Sequence, residues 1–404
     1  MSENKKQQLV PRLRFPEFCD DQSWSFQSLG RLARRSTKKN TEGDITRVLT
    51  NSAEYGVIDQ RDFFDKDIAN QGNLEGYYIV EEGDYVYNPR ISATAPVGPV
   101  SKNRIGLGVM SPLYTVFRFN NTQNDIYAHY FKSTHWHQYM RQASSTGARH
   151  DRMSITNDDF MGLPLPVSKP EEQQKIADCL SSLDDLIAAE SQKLDTLKTH
   201  KKGLMQQLFP REGETVPRLR FPEFREAPAW GKEKLEKLIT TVSPPSKLQS
   251  SNYGTQGKFP IIDQSQEFIC GWTDDERAVI TESLPLIIFG DHTCALKFVD
   301  KPFAQGADGI KILKVRPAIS AEYLFHSLSH RPLAMEDYKR HFSMLKERAV
   351  VFPDIESGEQ QKIADCLSSL DDLITAQTQK IDALKTHKKG LMQQLFPTLD
   401  EVDA

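Results

Sequence analysis

A chain of 404 residues has room for two or three domains. Its 26% charged and 38% hydrophobic residues are ordinary for a globular protein, and no apolar run approaches the roughly 20 residues that span a bilayer. A net charge of −4 counts against an overall electrostatic grip on nucleic acid, so any such contact needs local basic surface with acidic residues placed elsewhere. Five cysteines show no Cys-x-x-Cys spacing, and the start, MSENKKQQLV, has no signal-peptide core. These features predict reduced thiols and a cytoplasmic protein.

Residues 1–9 are polar and read as a mobile end. Val10 to Phe18, VPRLRFPEF, recurs unchanged at Val216 to Phe224. Its prolines forbid helix, so it reads as an extended strip laid along another element. Each strip is followed by a tryptophan and a globular block. Block one runs from about Trp24 to Pro166 and block two from about Trp230 to Pro353. Both open on a short amphipathic segment, FQSLGRLARRS and KEKLEKLITTV. Both continue with short β-like runs, including YYIV, DYVYN and LGVMSPLYTVFRF, then FPIID, EFICGW, LPLIIFG, ALKFV and IKILKV. Both then turn helical, at YAHYFKSTHWHQYMRQ and AEYLFHSLSHRPLAMEDYKRH. Each block therefore reads as a mixed α/β domain on a twisted, mainly antiparallel sheet.

After each block comes a much stronger repeat. Glu172 to Pro210 returns at Glu359 to Pro397 with five differences: Ala188/Thr375, Glu190/Gln377, Ser191/Thr378, Leu194/Ile381 and Thr196/Ala383. With Ile176, Leu183, Glu190, Leu197 and Leu204 at heptad position d, Leu180, Ile187, Leu194, Lys201 and Leu208 fall at a. Only Glu190 and Lys201 interrupt this apolar seam. Ser168-Lys-Pro-Glu171 and Ser357-Gly-Glu-Gln360 fit a capping box, and Pro210 and Pro397 stop the helices. Gly203 and Gly390 weaken the last stretch. About 38 residues at 1.5 Å each make a rod of roughly 57 Å. The two seams either pair with each other or pack separately on their own blocks; mutual pairing is the economical reading. An antiparallel pair would bring Lys201 toward the acidic start of the second helix.

The helices match even at outward positions such as Asp178, Ser181, Ser182, Asp185 and His200, whereas the blocks hardly match at all. Identical outward faces suggest two copies of one partner, and unlike blocks suggest two different targets. The order of strip, block and helix is also cyclic. The chain stops where the first linker begins and starts where that linker ends.

No phosphate-binding Gly-x-x-x-x-Gly-Lys-Ser/Thr and no methyltransferase Asn/Asp-Pro-Pro-Tyr/Phe occurs; Tyr87-Asn88-Pro89-Arg90 resembles the latter only in part. His135-Trp-His137 lies on a predicted helix without the i, i+4 spacing of a metal pair. The carboxylates form no nuclease set. Basic and amide clusters do stand out. They include Arg31, Arg34, Arg35, Lys38, Lys39 and Asn40, then Asn88, Arg90 and Ser92, then Arg149, His150 and Arg152 beside Ser145-Thr-Gly147. In block two they are Gly290-Asp-His-Thr293 with Lys297, and Lys339, Arg340, His341 and Lys346. A cluster of this kind is either a solvated loop or a set of phosphate and base-edge contacts. Asn88 to Ser92 and Phe289 to Thr293 take the same place in their blocks, which favours contact. The residues assigned to DNA are Arg34, Arg35, Lys38, Asn88, Arg90, Ser92, Thr146, Arg149, His150, Arg152, Asp291, His292, Thr293, Lys297, Arg340 and His341.

The duplicated EQQKIADCLSSLDDLI helices carry a family resemblance. So do Leu163-Pro-Leu-Pro166, STGARHDRMS at 145–154, GDHTCALKFV and Tyr338-Lys-Arg-His-Phe-Ser-Met-Leu345. The sequence resembles a specificity subunit of a type I restriction-modification system. The resemblance implies an α+β chain with two target-recognition domains, separated by two long helices that form an antiparallel coiled coil, as a pseudo-twofold internal repeat. It divides the chain into an N-terminal extended segment (1–24), a first recognition domain (25–166), long helix one (167–210), a linker with the second strip (211–229), a second recognition domain (230–354), long helix two (355–397) and a tail (398–404). Each recognition domain would bind one half of a bipartite, asymmetric double-stranded DNA site. The helices would set the spacer and dock two methyltransferase subunits, and Asp178, Asp185, Asp365 and Asp372 are assigned to that contact. Motor-nuclease subunits would add cleavage. S-adenosylmethionine, ATP and magnesium are expected in the partner subunits, with no cofactor, metal or catalysis in this chain. The competing classes are a nuclease or methyltransferase in its own right, distinguished by turnover of the lone chain, and a coiled-coil adaptor that does not touch DNA, distinguished by salt-dependent DNA binding.

Overall fold

The structure is a computed structural model that describes residues 9–63, 74–144, 151–281, 284–307, 309–333 and 341–398. The chain forms two compact units, residues 1–189 with 380–404 and residues 190–379. Both long helices are thus divided between the units. Among the described residues no helix is long and apolar enough to cross a membrane.

In the first unit, β1 (Ser25–Ser28), a single helical turn α1 (Leu29–Leu32) and β2 (Ala33–Arg35) follow the strip. Then come β3 (Leu49–Ser52), β4 (Gly56–Asp59), α2 (Gln60–Phe63), β5 (Tyr78–Val80), β6 (Tyr85–Tyr87), β7 (Val100–Lys102), β8 (Gly108–Met110) and β9 (Thr115–Phe119). Helices α3 (Asp125–Tyr130), α4 (His137–Ala143) and α5 (Asn157–Met161) lead to β10 (Pro164–Val167) and the long α6 (Pro170–Leu208). The main sheet has the order β2-β9-β6-β7, all antiparallel. The hairpin β3-β4 and the pair β5-β8 stand beside it, and β1 pairs with β10.

The second unit repeats this plan on an unrelated sequence. It contains β11 (Gly231–Lys234), α7 (Leu235–Leu238), β12 (Ile239–Val242), β13 (Phe259–Ile262), β14 (Gly271–Thr273), β15 (Val279–Ile280), β16 (Leu286–Gly290), β17 (Leu296–Val299), β18 (Phe303–Gln305) and β19 (Ile310–Val315). Helices α8 (Ala321–His330) and α9 (His341–Glu347), strand β20 (Ala349–Phe352) and the long α10 (Glu359–Leu395) complete it. Its main sheet, β12-β19-β16-β17, is also antiparallel, and β11 pairs with β20. A second sheet, β14-β13-β18-β15, contains one parallel pair, β13 with β18.

Within each unit the start of one long helix lies antiparallel to the end of the other. In the first, Lys388 Nζ is 2.5 Å from Asp184 Oδ1; in the second, Lys201 Nζ is 2.5 Å from Asp371 Oδ1, as the antiparallel reading requires. Gln377 Nε2 also donates to Glu190 Oε2 at 2.6 Å, so the two other polar seam positions satisfy each other. The ends of the seam are fully buried at Ile176, Leu180 and Leu395 in one unit and at Leu208, Ile363 and Leu367 in the other. There the helices join the block cores, together with Phe396 and Phe209 of the two LFP endings.

The strips clamp these junctions with the same bonds twice. Leu13 N donates to Gln394 O at the end of α10, and Leu219 N donates to Gln207 O at the end of α6, both at 2.9 Å. Arg14 forks onto Glu172 at 2.7 and 2.9 Å, and Arg220 forks onto Glu359 at 2.7 Å on each arm. The other guanidinium donors bond the Asp21 and Gln22 carbonyls, and the Ala227 and Pro228 carbonyls. Each strip therefore ties the end of one long helix to the start of the other.

One histidine from each block also reaches the helices. His129 of α3 places Nε2 3.1 Å from Ser181 Oγ and Nδ1 3.8 Å from Asp184 Oδ2. His326 of α8 places Nε2 3.0 Å from Ser368 Oγ and Nδ1 4.0 Å from Asp371 Oδ2. Both rings are buried.

Several local expectations change. The amphipathic segments FQSLGRLARRS and KEKLEKLITTV are each strand, one helical turn and strand, because β10 and β20 pair with their first halves. The strips are not extended throughout: Pro16–Phe18 and Pro222–Phe224 are 3-10 turns, where proline at the first position forfeits no bond. The helical stretch in block one breaks between Tyr130 and His137, so His135 lies in a turn. Neither capping box forms. Gln173 N bonds Lys169 O and Lys362 N bonds Gly358 O, which puts the serines outside the cap. Gln360 instead binds Ser320 N, Ala318 O and Pro353 O. Leu9, read as part of a mobile end, is buried and its carbonyl accepts from Trp24 N.

The clamps give the first test. Glu172 and Glu359 are buried, so removing the arginine strands a carboxylate away from water. Arg14→Ala and Arg220→Ala should each cost about 3–5 kcal/mol in urea denaturation; a loss under 1 kcal/mol would show that the fork carries no weight.

The histidines give the second. Burial, with Lys388 and Lys132 nearby, pulls His129 down to about 4. Burial and Lys201 pull His326 down to about 4. A free histidine titrates near 6.5. Values depressed in the fold mean that unfolding takes up protons. This contribution is therefore complete above about pH 6.5 and is lost as pH falls toward 4. The urea midpoint should decline across that window, and His129→Gln with His326→Gln should flatten the decline.

Candidate nucleic-acid interface

Strand β6 ends at Tyr87, buried and stacked on Phe160 at 4.5 Å. The chain then leaves the sheet through Asn88 to Ser92. Asn88 Oδ1 accepts Arg90 N at 3.0 Å, and Ser92 Oγ accepts Ala95 N at 3.1 Å. Gly98 (φ +82°) closes the loop, since an added Cβ would collide with the Asn88 carbonyl. The turn is laced to a distant stretch: Ile91 N bonds Asp151 O and Met153 N bonds Pro89 O, with Arg90 facing Arg152. Asn88, Arg90, Ser92 and Arg152 thus line one open cleft of about 530 Å³. Arg90 and Ser92 are exposed. Two guanidinium groups along one rim favour an anionic partner.

Sequence reasoning missed the opposite wall of this cleft, β3 with Ser111 to Tyr114. Asn51 is 2% exposed; its Nδ2 donates to Val86 O and Pro99 O, and its Oδ1 has no hydrogen-bond partner. Thr50 Oγ1 meets Tyr114 Oη at 3.0 Å. Nothing in VLTNS beyond its alternation marked it as a strand beside the turn. Of the other assigned residues, Arg34 and Lys38 are exposed and Arg35 is half-buried on and after β2. Thr146, Arg149 and His150 lie outside the described residues, as does Arg340 in block two.

In the second unit the equivalent strand, β16, runs into the β16-β17 hairpin. Its tip is tight: Gly290 N bonds Ala295 O, and an added Cβ on Gly290 would run into Thr293 Oγ1. Thr293 Oγ1 donates to Gln264 O at 2.6 Å, and His292 is exposed at the tip. Three assignments are corrected here. Asp291 is buried and accepts Phe342 N at 2.8 Å through Oδ1, while its carbonyl meets His341 Nδ1 at 2.8 Å. His341 is therefore buried as well, at the start of α9. Lys297 is 4% exposed and its ammonium bonds the Asp263 and Glu267 carbonyls; burial draws its pKa below the ordinary value. These groups hold the hairpin and α9 in place and do not face outward.

On the long helices Asp178, Asp185, Asp365 and Asp372 are all exposed. Gln174 caps Asp178 and Gln361 caps Asp365, each at 2.7 Å. The structure adds Leu186 and Leu373, the same repeat position, at 40% and 54% exposure. The sequence signal was a leucine repeated off the a and d seam.

Buried and outward assignments separate in one experiment. Asp291→Ala and Lys297→Ala should each cost about 1–3 kcal/mol in urea denaturation, because donors or carbonyls lose partners away from water. Arg90→Ala and Arg152→Ala should stay within about 0.5 kcal/mol.

Residues 32–199 match the family described as type I restriction modification DNA specificity domain. The chain is 28% identical over 278 residues to a putative type I restriction enzyme specificity subunit of Methanocaldococcus jannaschii, a match covering 61% of each protein. A second type I specificity subunit of that organism is 27% identical over 141 residues, 35% of this chain and 31% of the relative. The chain thus aligns with less than two thirds of these relatives' lengths. Its fold is similar to the crystal structure of a type I restriction-modification S subunit from M. genitalium, with a TM-score of 0.62 and 14% identity, covering 96% of this chain and all of that one. It is also similar to a chain in a structure on complex assembly of the type I system, with a TM-score of 0.53 and 15% identity, covering 93% and 97%. At such identities the structural likeness establishes the fold. The matched domain, the relatives and the fold agree: this chain is similar to type I restriction-modification specificity subunits in part of its sequence and across its fold.

Proposed function

We propose that this chain is the DNA-reading component of a type I complex. Block one (25–166) and block two (230–354) each read one half of a bipartite, asymmetric double-stranded site, and the antiparallel helices set the spacer. The observation that carries this is the contrast between the two repeats. The helices and clamps are nearly identical, while two blocks of equal sheet order carry different residues on the turn after β6 and the turn after β16. In block one the contacts are Asn88, Arg90, Ser92 and Arg152 around the cleft, with Arg34 and Lys38 suited to phosphates. In block two they are His292 and Thr293 at the hairpin tip.

The outward helix faces, with Asp178, Asp185 and Leu186 on one and Asp365, Asp372 and Leu373 on the other, dock two methyltransferase subunits. Motor-nuclease subunits join the same complex. S-adenosylmethionine, ATP and magnesium are held by those partners. The chain alone modifies and cuts nothing, and it works in the cytoplasm.

The test is sequencing of modified adenines in a genome that expresses this chain with its methyltransferase partner. The expected motif has two unlike halves around a fixed run of unread bases. A continuous palindrome would overturn the reading of two independent blocks.

A further inference from the structure

The blocks differ almost everywhere, yet each sends one buried histidine to the same place on the long helices. In the first unit His129 meets Ser181 and Asp184 of α6, and Asp184 is held in turn by Lys388 of α10 and lies 3.7 Å from Lys132 Nζ. In the second unit His326 meets Ser368 and Asp371 of α10, and Asp371 is held by Lys201 of α6. Ser368 Oγ also donates to Glu322. Ser181 and Ser368 are one repeat position, as are Asp184 and Asp371, and Lys201 and Lys388. Each cluster therefore joins three elements: a block helix and both long helices.

Most of the rest of the junction is apolar, built in the first unit from residues such as Tyr130, Phe131, Ile176, Leu180 and Phe396, with Gln360 adding bonds to Ser320 N and Ala318 O in the second. Apolar burial is strong but non-directional, so by itself it permits a block to turn on the helices at little cost. A hydrogen bond from a buried imidazole has a direction and a length, and a rotated block would leave it unmade. The same histidine–serine pair recurs at both junctions, at one repeat position of the helices.

We propose that His129 and His326 are positioning residues that fix the rotation of each recognition block on the helix pair and so restrict the complex to one spacer length. This inference rests on the bipartite reading above. Rotation matters because the two halves of a DNA site turn about a third of a helical turn for every three base pairs or so, at 10–10.5 base pairs per turn.

The experiment uses the chain assembled with its methyltransferase subunits. Affinity is measured for three duplexes that carry the mapped half-sites with the native spacer, one base pair fewer and one more. In His129→Ala and His326→Ala the preference for the native spacer should fall at least tenfold while the half-site bases stay the same. His129→Gln and His326→Gln, which keep a donor near the Nε2 position, should restore it. Ser181→Ala and Ser368→Ala change only the helix side and leave the block interiors intact, so they should behave like the alanine variants. An unchanged preference in the serine variants overturns the proposal, as does an equal loss on all three duplexes or a change in the bases read. If the unaltered complex itself shows no spacer preference, the bipartite reading fails instead.

Discussion

Two nearly identical helices can pair in only one direction here because each carries a lysine in its seam. Lys201 and Lys388 occupy the same heptad position. A parallel, in-register pair would set the two ammonium groups against each other in a half-buried seam, where like charges are costly. Running antiparallel, each lysine meets an aspartate of the other helix, Asp371 or Asp184. Burial pushes the Asp184 carboxyl up, but its bond to Lys388 and the nearby Lys132 outweigh this and hold it below the ordinary range. Burial lowers Lys388 only in part against the same bond. Such a pair adds little net stability after desolvation. Its value is that it makes one direction and register acceptable and the others not.

Much else in the fold follows from that direction. Antiparallel helices bring the end of one to the start of the other, so each end needs a joint that holds both. The strip supplies it, with a backbone bond to Gln394 or Gln207 and an arginine fork to Glu172 or Glu359. The LFP ending drives its phenylalanine into the adjoining core, where Phe396 meets Tyr130 at 5.3 Å and Phe209 meets Tyr323 at 5.5 Å. The cyclic order of strip, block and helix is thus a physical requirement. The first block needs the last helix to complete its core, and the second needs the end of the first helix.

The helices and their seam were legible because a 3.5-residue period is sustained over five heptads and the repeat showed which positions had been held alike; the period left separate packing open, and the antiparallel direction came from the family resemblance. The two sheets were legible as runs of β-branched and aromatic residues. Their partners were not: β3, β4, β7 and β18 are three or four residues long, too short for alternation to stand out, and β1 and β11 are strands because of what pairs with them. The candidate site was half legible. Arg152 was chosen in a different cluster from Asn88, Arg90 and Ser92, and all four meet on one cleft. Asp291, Lys297 and His341 have the same chemistry on paper, but a sequence does not show which way a hairpin residue faces. Asn51 and the two anchoring histidines went unmarked for the converse reason. Each is a single polar residue in an ordinary helix or strand, and its role comes from a partner far along the chain.

The division of labour within each block follows from these facts. For the proposed recognition surface to change its residues without unmaking the fold, the outward turn cannot also be a joint. In block one the cleft lies among β3, the Asn88–Ser92 turn and Arg152, whereas the junction with the helices is made by α3, α4 and the turn between them. In block two the exposed tip of the β16-β17 hairpin carries His292, while α8 carries the contacts to the helices. The hairpin itself is anchored within the block, at Asp291. That aspartate sits one residue from the exposed His292, yet its carboxylate caps Phe342 N and its carbonyl anchors His341. The hairpin thus presents His292 outward while its neighbour Asp291 is held inside the block.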